Sequence, residues 1–134
     1  MKKRFFAVFS LILAAVFLVA CSSQSTGEKN WEKIEKRLKA AAMADFVICL
    51  YNPSSKKRAD YLRRACLCML EYKRKDTVCG IVRNIGREEE SYEILTLEAL
   101  KEKQTDMFTT VFIGNEQTKE IAGKMVTPRG YRDV

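Results

Sequence analysis

Histidine is absent from the 134-residue sequence, and proline, glycine and tryptophan are scarce, at two, six and one residues. The missing imidazole excludes Ser–His–Asp and Cys–His nucleophilic pairs, histidine acid–base catalysis and every histidine-containing metal site. No P-loop, glycine-rich dinucleotide loop or paired-carboxylate arrangement occurs. Acidic residues are outnumbered, 17 against 24 lysines and arginines, for a formal net charge of +7. Lys2, Lys3 and Arg4 supply three of those positive charges, so the rest of the chain is only mildly basic. Aromatic residues are not interleaved with the basic ones, which argues against a nucleic-acid partner. The length suits one domain with an ordinary core.

Only one long apolar run is present. Phe5–Ala20 is sixteen residues with Ser10 as the sole polar one, behind the basic Lys2-Lys3-Arg4. It is too short and wrongly flanked for a stable span and reads as a signal peptide over residues 1–20. Its end, Leu18-Val19-Ala20-Cys21, resembles the lipobox of bacterial lipoproteins, which implies lipidation of Cys21 and a membrane anchor on the exported face. Residues 21–30, opening with Ser22-Ser23-Gln24-Ser25-Thr26-Gly27, then form a flexible tether, and residues 31–134 form the domain. An uncleaved anchor helix is the alternative, and a cytoplasmic location follows if this segment is a fusion or a gene-model artefact.

The other cysteines point the opposite way. Cys49, Cys66, Cys68 and Cys79 lie in or beside apolar runs and read as small buried apolar residues. Unpaired buried thiols suit a reducing compartment. Cys66 and Cys68 are poorly spaced to pair on a helix, and Cys49 and Cys79 pair only if their strands are neighbours. A lone C-x-C without histidine or a second ligand pair is a weak metal signal, so no metal is expected.

Hydrophobic periodicity predicts alternating helices and strands. Trp31, Ile34, Leu38 and Ala41 share one helical face over Trp31–Ala42, with Asn30 as N-cap. Asp45–Tyr51 reads as a buried strand, ended by Asn52-Pro53-Ser54-Ser55. Ala59–Tyr72 predicts a second helix, with Leu62, Cys66, Met69 and Leu70 inward and Arg58, Arg63, Arg64 and Lys73 outward. Strands are expected at Thr77–Arg83, Tyr92–Thr96 and Thr109–Gly114, helical turns at Leu97–Lys103 and Glu116–Ala122, and an edge segment at Lys124–Pro128. This alternation predicts a single α/β domain with a mixed sheet flanked by helices, plus the N-terminal signal helix. Loops leaving the C-terminal ends of such strands are the expected ligand edge: Tyr51–Ser55, Asn84–Glu90 and Gly114–Gln117. Tyr51-Asn52 and Arg83-Asn84 offer there an aromatic face, two amides and a guanidinium, suited to a flat or anionic ligand; plain turn chemistry at the two asparagines is the other reading. Glu88-Glu89-Glu90 reads as a solvated turn. The basic set Arg58, Arg63, Arg64, Lys73, Arg74 and Lys75 reads as a solvated face, with phosphate or acidic lipid as the alternative.

Longer motifs carry a more specific signal. They run in order from Trp31-Glu32-x-Ile34-Glu35-Lys36-Arg37-Leu38, through Ala44-Asp45-Phe46-Val47-Ile48-x-Leu50-Tyr51-Asn52-Pro53-x-Ser55 and Gly80-Ile81-Val82-Arg83-Asn84-x-Gly86-Arg87. Thr109-Thr110-Val111-x-Ile113-Gly114-Asn115-x-Gln117-Thr118 and Met125-Val126-Thr127-Pro128-Arg129-Gly130-Tyr131 complete the series. Together they resemble the C-terminal half of the precorrin-3B (cobalt-precorrin-3B) C(17)-methyltransferases of the tetrapyrrole methylase family. The resemblance implies methyl transfer from S-adenosylmethionine to a corrin precursor, with ring contraction, in a two-domain fold that is usually a homodimer. The C-terminal domain's share of the cofactor pocket would carry over to Leu50, Tyr51, Asn84, Ile85 and Thr110. Arg83, Arg87 and Arg129 are candidates to pair with substrate carboxylates; no catalytic residue is assigned. The glycine-rich G-x-G-P-G-type and G-G-D-P-type segments of the family's N-terminal domain do not occur here. The resemblance therefore implies half of a cofactor site, completed by a separate N-terminal methylase domain. The alternative is a membrane-anchored, non-catalytic module that binds a tetrapyrrole, a nucleoside or a partner protein.

Overall fold

The first element, α1, runs over Thr26–Met43. It starts upstream of the expected Asn30 cap, so the last residues of the expected tether are helical; Glu28 and Lys29 favour helix and outweigh Gly27. Trp31, Leu38 and Ala42 are buried and Ile34 and Ala41 half-buried, the expected stripe. A Schellman-type closure ends the helix: the Phe46 amide donates to the Ala41 carbonyl at 3.0 Å and the Asp45 amide to Ala42 at 3.1 Å. Asp45 itself takes a left-handed φ of 54° to make this turn. The computed structural model describes the backbone of residues 26–130, with side chains from residue 30. The expected signal peptide, its signal helix and Cys21 lie outside the described residues. No described helix is long and apolar enough to cross a membrane.

After α1 come β1 (Ile48–Tyr51), α2 (Tyr61–Leu70), β2 (Val78–Arg83), β3 (Ser91–Thr96), α3 (Leu97–Leu100), β4 (Thr109–Ile113), β5 (Lys119–Ile121) and β6 (Lys124–Val126). Four strands form one sheet in the order β1-β4-β2-β3. Every neighbouring pair in it is antiparallel, which corrects the expected mixed sheet. The cause is β4, which returns between β1 and β2 and so separates two strands that run the same way. The helix expected over Glu116–Ala122 is also corrected: this segment enters a β5–β6 hairpin. Ala122 and Gly123, at φ 51° and 71°, form its two-residue turn, and left-handed backbone at both positions ends any helix there.

Side-chain alternation gives the sheet two unlike faces. Ile48, Val111, Ile113, Cys79 and Ile81 point to one face and are buried. Leu62, Cys66 and Met69 of α2 and Leu97 and Leu100 of α3 complete this core. Each such side chain contributes roughly 1.5–3 kcal/mol relative to exposure. The opposite face carries Cys49, Tyr51, Val82, Tyr92, Ile94 and Phe112 and is much less covered, with Tyr51 77% and Tyr92 68% exposed.

This asymmetry sorts the cysteines, all four of which are free. Cys66, Cys68 and Cys79 are buried as expected, whereas Cys49 is exposed on the open face. Since β4 lies between β1 and β2, Cys49 and Cys79 are not on neighbouring strands. Burial pushes the Cys66 and Cys79 thiols up to about 12, so neither supplies a thiolate at neutral pH. Half of the basic set is solvated and ion-paired, with Arg63 to Glu102 at 2.6 Å, Arg74 to Asp76 at 2.5 Å and Arg64 to Asp60 at 3.9 Å. Lys73 departs from it: its side chain is 2% exposed and bonds Asp45 at 2.9 Å.

Candidate cofactor site at one end of the sheet

β1 and β2 run in the same direction, so the loops leaving Tyr51 and Arg83 emerge at one end, where antiparallel β4 begins. The register pairs Tyr51 with Thr110, Thr110 with Val82, and Thr109 with Arg83. Tyr51 and Thr110, far apart in sequence, are thereby brought side by side, whereas Arg83, paired with Thr109, alternates to the other face of the sheet at the same end, with Asn84 following it. The same antiparallel direction carries the Gly114–Gln117 loop to the opposite end. That corrects the expectation that three strand-exit loops share one ligand edge.

Tyr51 and Thr110 occupy one cross-strand row on the open face. Tyr51 projects into solvent, and the hydrogen bond that its phenol O–H donates to the neighbouring Cys49 sulfur pushes the phenol above the ordinary value, so it stays neutral. Thr110 is only 7% exposed, and its hydroxyl has no hydrogen-bond partner among the described residues. No buried side-chain oxygen among the described residues lacks a partner, so this hydroxyl keeps its contact with solvent and stands beside the open Tyr51 ring as an accessible polar group. Leu50 alternates to the core face and is half-buried, so only its backbone faces this end.

The turn after β2 is tightly self-bonded. Asn84 sits at φ 54° and Gly86 at 74°. The Asn84 amide donates to the Phe108 carbonyl at 3.1 Å, the Arg87 amide to Asn84 at 2.9 Å, and the Gly86 amide to Glu90 Oε2 at 2.6 Å. These bonds leave the Ile85 side chain exposed at the tip. Asn52, also left-handed at φ 48°, turns the chain after Tyr51, so the turn chemistry expected of both asparagines is present. Arg83 Nη2 donates to the Gln104 carbonyl at 3.3 Å, and the Arg87 guanidinium lies 4.7 Å from the Phe108 ring centroid. Arg129 is exposed beyond β6, and no hydrogen bond or ion pair among the described residues ties it to this end.

Beside the Thr110 row, a cavity of ≈ 480 Å³ lies between the open sheet face and the β5–β6 hairpin. Val82, Tyr92, Ile94, Phe112 and Met125 line it. Met125 packs over Gly80: a Cβ there would lie 3.4 Å from Met125 Sδ, an ordinary van der Waals contact. Tyr92, Phe112 and Met125 are not among the sequence-predicted site residues; strand alternation holds the signal for the first two, whereas Met125 lies in the expected edge segment and its hairpin partner strand is hidden by the helix expected over Glu116–Ala122.

The fold matches the crystal structure of the methyltransferase CobJ with a TM-score of 0.66 and 29% identity, covering 73% of this chain and 41% of that one. In sequence the chain is similar to the probable cobalt-factor III C(17)-methyltransferase of Methanocaldococcus jannaschii, 44% identical over 109 residues, or 76% of this chain and 44% of that protein. It is likewise similar to the cobalt-factor III methyltransferase of Priestia megaterium, 40% identical over 124 residues, covering 92% of this chain and 23% of the relative. No protein-family model matches. The chain is C(17)-methyltransferase-like and spans less than half the length of these relatives, a share that fits a C-terminal half.

Proposed function

We propose that this chain supplies the C-terminal half of the cofactor site of an S-adenosylmethionine-dependent corrin C(17)-methyltransferase. The supporting observation is the register that sets the unbonded Thr110 hydroxyl beside open Tyr51, next to the Asn84-Ile85 turn. These groups fit the cofactor: an aromatic edge for a flat base, a hydroxyl and turn backbone for polar atoms. Leu50 contributes through its backbone. When bound, S-adenosylmethionine supplies an activated methyl group on a sulfonium. Transfer from a charged sulfonium depends on orientation and electrostatics, which the chain's residues provide without histidine. The substrate on this reading is a corrin precursor, cobalt-factor III or precorrin-3B, with Arg83 and Arg87 near the sheet end, and Arg129 beyond the hairpin, pairing its carboxylates. A separate N-terminal methylase half, or a partner in a homodimer, completes the pocket.

Tyr51 makes the test selective, because so exposed a ring contributes little to folding. Tyr51→Ala should leave the melting temperature unchanged while weakening S-adenosylmethionine binding to the completed site about tenfold. Calorimetry beside a thermal melt checks both; an unchanged affinity removes Tyr51 from the site.

The Phe5–Ala20 run ending in Cys21 supports a second element of the proposal, an anchor that places the domain at a membrane. Labelling with a radioactive fatty acid should mark the parent and not Cys21→Ser; an unlabelled parent refutes the anchor. A non-catalytic anchored module is the competing reading, and tight corrinoid binding by this chain in the absence of any other half would favour it.

A further inference from the structure

At the same sheet end, a second cavity of ≈ 860 Å³ opens between the 52–59 loop and the 104–108 segment. Its walls are clamped together: Ser54, only 4% exposed, shares a 2.8 Å hydroxyl bond with Thr105. Three consecutive cations, Lys56, Lys57 and Arg58, line it and are exposed. Lys39, Arg63, Lys73, Arg74 and Lys101 are ion-paired, whereas Lys33, Lys36 and Arg37 of α1 have no ion pair among the described residues but do not line this cavity. Among the described residues no carboxylate lies within ion-pair distance of Lys56, Lys57 or Arg58.

The cavity's single acid offsets only one of the three positive charges. Asp106 Oδ1 accepts the Thr109 hydroxyl at 2.7 Å and the Phe108 amide at 2.9 Å, which ties that oxygen into its own loop. Arg58 is aimed rather than free to sweep: its Nε donates to Ser55 Oγ at 3.2 Å, and its guanidinium lies 5.8 Å from the Tyr61 ring centroid. That leaves its two terminal nitrogens, in fork geometry, for an anion.

We propose that this cavity is a subsite for a polycarboxylate ligand, held by Lys56, Lys57 and Arg58. The identity of the natural ligand, the acetate and propionate arms of a corrin precursor, rests on the methyltransferase reading; the binding chemistry does not. Spaced cations on a clamped loop suit carboxylates carried on separate arms, each taking its own charge-assisted bond.

The probe is a porphyrin octacarboxylate, titrated into the full chain and followed by its absorbance. Replacing Lys56, Lys57 and Arg58 together by alanine should weaken binding by about tenfold or more. The same number of charges removed from α1, in Lys33→Ala/Lys36→Ala/Arg37→Ala, should leave binding unchanged, and the porphyrin's neutral methyl ester should not bind. Equal affinity in parent and loop variant, equal loss in both variants, or no porphyrin binding by the parent would overturn the proposal. Displacement of the porphyrin by equimolar inorganic tripolyphosphate would reassign the cavity to phosphate groups and overturn it too. S-adenosylmethionine titration of the parent with an N-terminal methylase half is the separate readout. Its failure beside a positive porphyrin result refutes the methyltransferase reading and leaves the subsite standing.

Discussion

Replacing Gly114 with alanine should destabilise the domain by about 3 kcal/mol, the overpacking cost of a core position that cannot yield. An added Cβ would lie 2.6 Å from Thr118 Cβ and 2.7 Å from both its Cγ2 and Oγ1. Thr118 is held where it is. Its amide donates to the Asn115 carbonyl at 3.1 Å. Its hydroxyl accepts the Asn115 amide at 2.9 Å and bonds Asn115 Oδ1 at 3.0 Å and Thr127 Oγ1 at 2.8 Å. Relief of the clash breaks that buried network and loosens the start of the β5–β6 hairpin. Gly86→Ala is the calibrating contrast: nothing lies within 4 Å, and only its φ of +74° opposes a side chain. It should cost about 1 kcal/mol. Urea denaturation of the two variants checks the ranking, and equal costs would refute the steric account.

Asp45→Asn should cost about 2 kcal/mol at neutral pH. The substitution keeps the left-handed backbone that asparagine tolerates and removes only the charge. It strands the Lys73 ammonium, whose side chain is 2% exposed against 45% for Asp45. A fully buried pair that loses one partner costs about 3–5 kcal/mol; the half-exposed carboxylate, reached by water, lowers that figure. The Asp45 carboxylate also accepts the Glu116 amide at 3.1 Å, tying the α1–β1 turn to the β4–β5 turn. Burial works against its ionised form, but the Lys73 hydrogen bond, the Glu116 amide and the Lys73 charge outweigh it and hold the pKa below 3.8. A depressed folded value means that this stability is fully present above the unfolded carboxylate's pKa and is lost as pH falls through the folded one. Acid-unfolding curves should therefore lose that component in Asp45→Asn. A variant as stable as the parent at pH 7 would show that the pair is not a lock.

The two ends of the sheet thus differ in kind. Asp45, Lys73, Gly114 and Thr118 pin one end. At the other, Tyr51, Thr110 and the cationic 56–58 loop stay open. Much of this was legible in the sequence. Apolar runs located β1, β2 and β4, helical spacing located α1 and α2, and the motif series nominated Tyr51, Asn84 and Thr110, of which the register pairs Tyr51 with Thr110. Strand direction was not legible, because an apolar run reads the same whichever way it pairs; hence the mixed sheet and the misplaced Gly114–Gln117 loop. The hairpin was missed because the polar Glu116–Glu120 stretch has helix-forming residues, and only Ala122 beside Gly123 marks the turn. Lys73 looked like one more surface cation in a basic run; nothing in its neighbours announces that a helix-ending Asp45 reaches it from 28 positions away.

The account rests on a divided cofactor site, and calorimetric titration of S-adenosylmethionine tests that directly. The full chain by itself should bind in about the millimolar range or not at all. Mixed with the separately produced N-terminal half of a C(17)-methyltransferase, it should bind in about the micromolar range. Micromolar affinity without the second half, or none with it, would contradict the account.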